Sequence, residues 1–255
     1  SMFVTASHND PEREMAVIET FHRRRVDGII VAASRLSHRH RSRLAKIRVP
    51  IVLLNQHTDE AHPDFRGVAF DERAGARLAV EHLLALGHRR IGYLGLGNRQ
   101  RSNRLRLAGY REALGEAGIS PPDRWALVIP ERDIGDLSDH AAGEQAVHRL
   151  LHDAGTGRRN DISAVLCYND RTAAGALTAC HRHGITVPDD LSLVGFDDIE
   201  LARWITPALT SIRQPRAAMG RAAMEMLLAL LAGEAVENRL VAPELVARES
   251  TAVAG

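Results

Sequence analysis

Short apolar runs of strand length recur along this chain, and segments of helical period separate them; this alternation constrains the fold more than any other feature. The runs are Val26 to Val31, Ile51 to Leu54, Ile91 to Leu94, Ala126 to Ile129, Ala164 to Cys167 and Leu191 to Val194. Between them the sequence carries helix punctuation. Asp10-Pro11 opens a helix with proline at its first position, and Met15, Ile18 and Phe21 form its apolar stripe. Asp71 caps a helix that runs to Leu86 and stops at Gly87. Further helices are expected from Ser102 to Ala117, Ser138 to Leu151, Arg171 to His183 and Ala217 to Leu231, most of them followed by glycine. Strands alternating with helices of this length predict βαβ units and parallel sheets. Phe3-Val4-Thr5 reads as the end of one more strand.

Two of the runs end in a way that points to a binding site. Val165-Leu166-Cys167-Tyr168-Asn169-Asp170 and Leu193-Val194-Gly195-Phe196-Asp197-Asp198 pass abruptly from apolar residues to amides and carboxylates. In an open α/β sheet the carboxyl ends of strands face the crevice where ligands bind. Asn supplies donors and an acceptor, and ionised Asp supplies acceptors. That mixture suits a hydroxyl-rich small molecule.

Composition excludes several classes. The 33 basic and 32 acidic residues leave a net charge of +1, without the basic excess of a nucleic-acid-binding domain. No apolar run reaches the roughly 18 residues of a transmembrane helix. The opening Ser1-Met2-Phe3-Val4-Thr5 lacks the charged-then-apolar order of a secretion signal. Two cysteines, Cys167 and Cys180, read as free thiols of a reducing cytoplasm rather than a disulfide framework. The histidine pairs His38/His40 and His181/His183 are two apart, which on a helix points them to different faces, and no metal is expected. No Gly-x-Ser-x-Gly elbow appears, and Gly95-Leu96-Gly97 lacks the third glycine of a dinucleotide loop because Gln100 stands there. No catalytic residues and no cofactor are expected. The run His38-Arg39-His40-Arg41-Ser42-Arg43 looks like a nucleic-acid patch but reads better as one face of a surface helix.

Five segments, in order, resemble the core of the lactose/galactose repressor (LacI/GalR) family. They are Leu78 to Tyr93 with its Leu86-Gly87-His88-Arg89-Arg90-Ile91-Gly92-Tyr93 end, Arg104-Leu105-Arg106-Leu107-Ala108-Gly109-Tyr110, the Asn169-Asp170 and Gly195-Phe196-Asp197-Asp198 segments, and Thr206 to Pro215. The resemblance runs from about Phe3 to Thr251. It implies two similar doubly wound parallel-sheet α/β lobes with a cleft between them, of periplasmic-binding-protein type I. The lobes are expected at 1–94 plus 211–238 and at 95–210 plus 239–255. The family precedes this core with a strand and helix that would come before Phe3. That strand would lie centrally, so its two neighbours would have to re-pair, exchange strands or stay open.

The resemblance also implies roles. Arg106 would reach the effector, with Arg104 its competitor on the same helix. Asn169 would bind while Asp170 caps the following helix. Asp197 would accept ligand hydroxyls, Phe196 would pack on a ring face, and Gln214 would contact the ligand from a segment crossing between lobes. Asn55 stands where relatives carry Asp, and Phe70 is a candidate stacking wall. The implied function is the effector-sensing and dimerisation domain of a cytoplasmic LacI-type regulator, a homodimer that reaches operator DNA through a helix-turn-helix outside this core. Its effector would be a sugar or nucleoside-like metabolite. The alternative is a solute-binding protein of an ABC sugar importer.

Overall fold

The structure, a computed structural model, describes residues 1–8, 10–32, 40–55, 65–151 and 162–255. In chain order the elements are α1 (Pro11–Arg23), β1 (Ile29–Ala32), α2 (Arg41–Leu44), β2 (Ile51–Leu54), β3 (Arg66–Phe70), α3 (Glu72–Ala85), β4 (Ile91–Leu96), α4 (Gln100–Glu116), β5 (Ala126–Ile129) and α5 (Glu131–Ile134). They continue with α6 (Asp139–Leu151), β6 (Ala164–Cys167), α7 (Asp170–Arg182), β7 (Ser192–Asp197), α8 (Leu201–Trp204), β8 (Thr210–Arg213), α9 (Arg216–Leu231), β9 (Arg239–Val241) and β10 (Glu244–Val246). The chain forms two compact units, Ser1–Phe70 with Pro215–Val241, and Asp71–Gln214 with Ala242–Gly255.

The first unit holds a parallel sheet of order β1-β2-β3-β9. Asp10 caps α1 through its carboxylate, which accepts from the backbone N–H groups of Glu12 and Arg13. The expected stripe then points inward: Met15 and Ile18 pack with Ile29, Val31, Leu44, Ile51 and Leu53. Helix α9 lies across β1, β2 and β3. Phe3 to Thr5 does not form the expected strand. Among the described elements β1 pairs with β2 alone, so no re-pairing with the segment ahead of α1 takes place. Without a ladder partner, extended backbone gains nothing over hydration, and Phe3 and Val4 are 55% and 83% exposed.

The second unit holds a six-stranded sheet of order β10-β8-β7-β6-β4-β5, parallel except for the β10–β8 pair. Its strands β4, β6 and β7 are almost wholly apolar, as befits a sheet covered on both faces. Helices α6 and α7 pack against each other, as do α3 and α4. The carboxyl ends of β4, β6, β7 and β8 lie side by side, and the polar residues singled out above sit on three of them.

The division differs from the expected one chiefly at its first crossing, which falls after Phe70 rather than after residue 94. Helix α3 decides this, because it packs on α4, β6, β8 and β10 of the second sheet. The other two crossings fall after Gln214 and Val241, within four residues of the expected 210 and 238. The loop expected at Gly155 to Asn160 lies outside the described residues.

Candidate functional site

Arg106 is the centre of the site. It sits on α4 in a stripe with Asn103, Tyr110 and Ala113, all buried. Gly109, one turn on, lets α4 approach α3: a Cβ there would lie 2.2 Å from the carbonyl oxygen of Arg73. This close approach brings Glu72, the first residue of α3, within reach of Arg106. The guanidinium Nε donates to Glu72 Oε2 at 2.6 Å. One terminal nitrogen donates to the Tyr168 carbonyl. The other lies 3.6 Å from Asp197 Oδ1. The Tyr168 and Phe196 rings cover the group, with centroids 4.5 and 3.6 Å from the guanidinium carbon. Burial works against the charge, but the carboxylates of Glu72 and Asp197 outweigh it and hold the Arg106 pKa above its ordinary value. Its competitor Arg104 is exposed.

Asp197 ends β7 with φ +104°, and Asp198 follows at φ +46°, both in backbone regions that side chains rarely adopt. Long-range contacts hold this bend. Asp198 lies between Arg213 at 2.7 Å and Arg248 at 2.5 Å. Burial alone would raise its pKa, but those two arginines bring it below the ordinary carboxylate range. The Asp198 N–H donates to Ser211 Oγ at 3.1 Å. Asp170 grips the same loop: one oxygen accepts from the Ile199 N–H at 2.7 Å and the other from Ser211 Oγ at 2.5 Å. Gln214, just past β8, donates its amide to Asp197 Oδ1 at 2.9 Å. Gly195 makes room, since a Cβ there would meet Asp170 Oδ1 at 2.3 Å.

The helix cap falls on Asn169 rather than on Asp170, where it was expected. Asn169 is the N-cap of α7, its Oδ1 accepting from the Thr172 N–H and hydroxyl, each at 2.8 Å. Its amide donates to Asp139 Oδ2 at 2.7 Å. Asp170, at the first helical position, is fully buried, and burial raises its pKa to about 7. Both residue types cap helices well, so the pair alone does not reveal which one turns its oxygen back on the helix.

Arg106, Asp197, Gln214, Phe196 and Asn169 therefore all lie at the strand ends of the second unit. Phe196 is completely buried, and its ring serves the Arg106 guanidinium. Asn55 and Phe70 belong to the first unit. Asn55 is exposed, follows β2 at φ +60°, and its N–H donates to the Val68 carbonyl at 2.7 Å. Asparagine tolerates this left-handed conformation better than most residues, which is a backbone reason for its presence. Phe70 ends β3 and is buried. Of the basic run, Arg43 pairs with Glu12 and Glu19 of α1 and His40 with Glu12, so these side chains tie α2 to α1; His38 and Arg39 lie outside the described residues.

Sequence reasoning missed Glu72, Tyr168, Asp139 and Arg248. Glu72 reads as an ordinary acid in the first turn of a helix, favoured there by the helix dipole. Chemically the arrangement is a set of closed hydrogen bonds and ion pairs around one partly open carboxylate, which suits recognition of donors. Among the described residues no group of three or more His, Cys, Asp or Glu side chains could hold a metal ion, and no helix is long and apolar enough to cross a membrane.

Comparison with known proteins fits this geometry. Residues 80–251 match the periplasmic binding protein-like domain family. The chain is 37% identical over 247 residues to the HTH-type transcriptional regulator GalR of Escherichia coli (strain K12), covering 95% of this chain and 67% of that protein. It is 34% identical over 248 residues to the HTH-type transcriptional repressor PurR of Klebsiella pneumoniae (strain 342), with 96% and 69% covered. In structure it is similar to the transcription regulator GntR from Chromobacterium violaceum, with a TM-score of 0.82, 30% identity, and 98% and 88% of the two chains covered. It is also similar to the transcriptional regulator CelR in its cellobiose complex, with a TM-score of 0.79, 26% identity, and 94% and 71% covered. These relatives are regulators rather than importer components or enzymes, and the chain belongs to the LacI/GalR family of transcriptional regulators, of which it carries the effector-binding domain.

Proposed function

We propose that the second unit binds a small polar effector, a sugar or nucleoside-like metabolite, at the carboxyl ends of β4, β6, β7 and β8. The observation that carries this reading is the Arg106–Asp197–Gln214 cluster: Asp197 offers an acceptor whose position Gln214 and Arg106 fix. Asn169 contributes through its amide, whose second N–H remains for a ligand once the first serves Asp139. Asn55 and Phe70 are proposed as further ligand contacts. The domain acts without catalysis, in the cytoplasm and as a homodimer. It biases operator binding by a separate DNA-reading helix-turn-helix, which requires that effector affinity differ between two conformations. The CelR relative, seen with cellobiose, and the similarity to GalR favour a sugar.

A calorimetric screen of sugars and nucleosides tests the reading. A saturating ligand at about 100 times its Kd adds about 2.7 kcal/mol of stability and so shows first in thermal unfolding. Asp197→Ala should then weaken the hit by about 1.5–3 kcal/mol, the worth of a hydrogen bond to a charged group. Unchanged affinity in a folded Asp197→Ala protein would remove Asp197 from the site. Sedimentation equilibrium showing a monomer at all concentrations would remove the dimer.

A further inference from the structure

An arginine in a ligand site ordinarily selects anions, because its planar fork matches carboxylate and phosphate geometry. Here much of that fork is already occupied by protein. Glu72 takes the Nε edge at 2.6 Å, the Tyr168 carbonyl takes one terminal nitrogen, and Asp197 lies 3.6 Å from the other. Two aromatic rings close the faces. The side chains of Arg106 and Glu72 are only 4% and 9% exposed, whereas that of Asp197 is 27% exposed. A ligand therefore meets the Asp197 carboxylate first, with a charge-compensated Arg106 behind it.

The charges around the cluster point the same way. Arg106 carries one positive charge against the two negative charges of Glu72 and Asp197. Asp139 adds a carboxylate behind the Asn169 amide. Asp198 is closed off by Arg213 and Arg248, and Glu244 in turn pairs with Arg213. Arg99 and Arg101, half-buried where the chain enters α4, Arg171 after Asp170 and Arg216 after Gln214 add cations near these strand ends.

We propose that Glu72 is a specificity-determining residue: by neutralising Arg106 in place, it makes the site select neutral or amino-bearing polyols and reject anionic ligands such as sugar acids and sugar phosphates. The inference rests on the effector reading given above. Glu72 acts through Arg106, keeping its N–H groups oriented while removing its attraction for anions. A like charge brought within about 4 Å of Asp197 is repelled, and Arg106 no longer offsets that repulsion because its field is spent on Glu72.

The test is calorimetric titration of the wild-type chain and of Glu72→Gln with D-galactose, D-galacturonate and inorganic phosphate. Gln keeps an acceptor for Arg106 Nε and removes the charge. In the wild type, galacturonate should bind at least about tenfold more weakly than galactose, and phosphate more weakly still. In Glu72→Gln, phosphate affinity should rise at least about tenfold and the galactose preference should narrow by a similar factor. A wild type that prefers galacturonate to galactose overturns the proposal whether or not the variant folds. So does a folded variant whose phosphate affinity is unchanged. A protein blind to both sugars whose phosphate affinity nonetheless rises on Glu72→Gln overturns the sugar reading and leaves the role of Glu72 standing.

Discussion

Asp170→Asn offers a sharp test of how the site is built, because it changes one charge in a fully buried position. The Asp170 carboxylate is 0% exposed and holds the Ile199 N–H and the Ser211 hydroxyl. Burial raises its pKa to about 7, against the partial relief of those two hydrogen bonds, and the charges of Asp197 and Asp198 raise it further. In the unfolded chain it returns to about 3.9. An acid with a raised folded pKa stabilises the fold fully only below its unfolded pKa, and the contribution is lost as pH rises toward the folded pKa. The unfolded chain releases this proton from about pH 4 while the folded one keeps it to about pH 7, so stability falls with rising pH in that window. Integrated from pH 5 to pH 8, a shift of this size is worth about 2–3 kcal/mol.

Asn at this position is permanently neutral, so the variant lacks the slope. Its oxygen can still accept from Ile199, and its amide can donate to Ser211 Oγ once that hydroxyl turns. The variant should therefore gain about 2–3 kcal/mol on the wild type between pH 5 and pH 8. Asp198, held below the ordinary range, titrates outside this window. Urea unfolding at several pH values measures the gain. Both tryptophans, Trp125 and Trp204, lie in the second unit, so their fluorescence follows the transition that contains Asp170. Parallel pH–stability curves for the two proteins would refute the reasoning and make Asp170 a carboxylate that folding leaves unperturbed.

Two further substitutions probe the scaffold under the site. Gly109→Ala places a Cβ 2.2 Å from the Arg73 carbonyl, a backbone clash that forces α3 and α4 apart. Overpacking of about 3 kcal/mol should exceed the roughly 1 kcal/mol gained in helix propensity, so urea unfolding should show a net loss near 2 kcal/mol. Asn169→Ala removes the cap of α7 and the bond to Asp139. The same assay should record a loss of about 1–2 kcal/mol, and no loss would return the cap to Asp170.

Much of the fold is legible in local signals. Asp10 and Asp71 cap the helices that their positions announce, and Gly87, Gly118, Gly184 and Gly233 follow helices at positive φ. Strands β2, β5 and β6 fall where their apolar runs lie. Strands β9 and β10 are not legible, since three residues of mixed exposure carry no period and exist only through pairing with β3 and β8. Strand β8 hides for a related reason. Its Thr-Ser-Ile-Arg sequence alternates weakly, its buried hydroxyls bond to Asp170 and Thr251, and the Thr210 N–H donates to Ser250 Oγ, all far along the chain. As proposed contacts, Arg106 and Gln214 were legible through the family pattern alone, and Asp197 through that pattern and its strand-end position together. Glu72 was not, because its partner is thirty-four residues away and only the α3–α4 approach at Gly109 brings them together.

The same distinction explains why the site is best understood as a consequence of the crossing segments. Left-handed backbone at two successive aspartates costs free energy, about 1–3 kcal/mol for each such residue. Nothing within the Gly195–Asp198 segment offsets that cost. The compensation comes from β8, through Ser211 and Arg213, and from the C-terminal tail, through Arg248. Both elements flank the places where the chain passes between units, after Gln214 and after Val241. The direction of the Asp197 carboxylate is thus tied to the strands that lead into the crossings. A ligand that pulls on Asp197 pulls on Gln214 directly, and on Arg213 through Asp198. In the proposed sensor, this mechanical continuity matters more than the strength of any one contact: the residue proposed to meet the effector is held in a strained conformation by the strands that lead into the crossings.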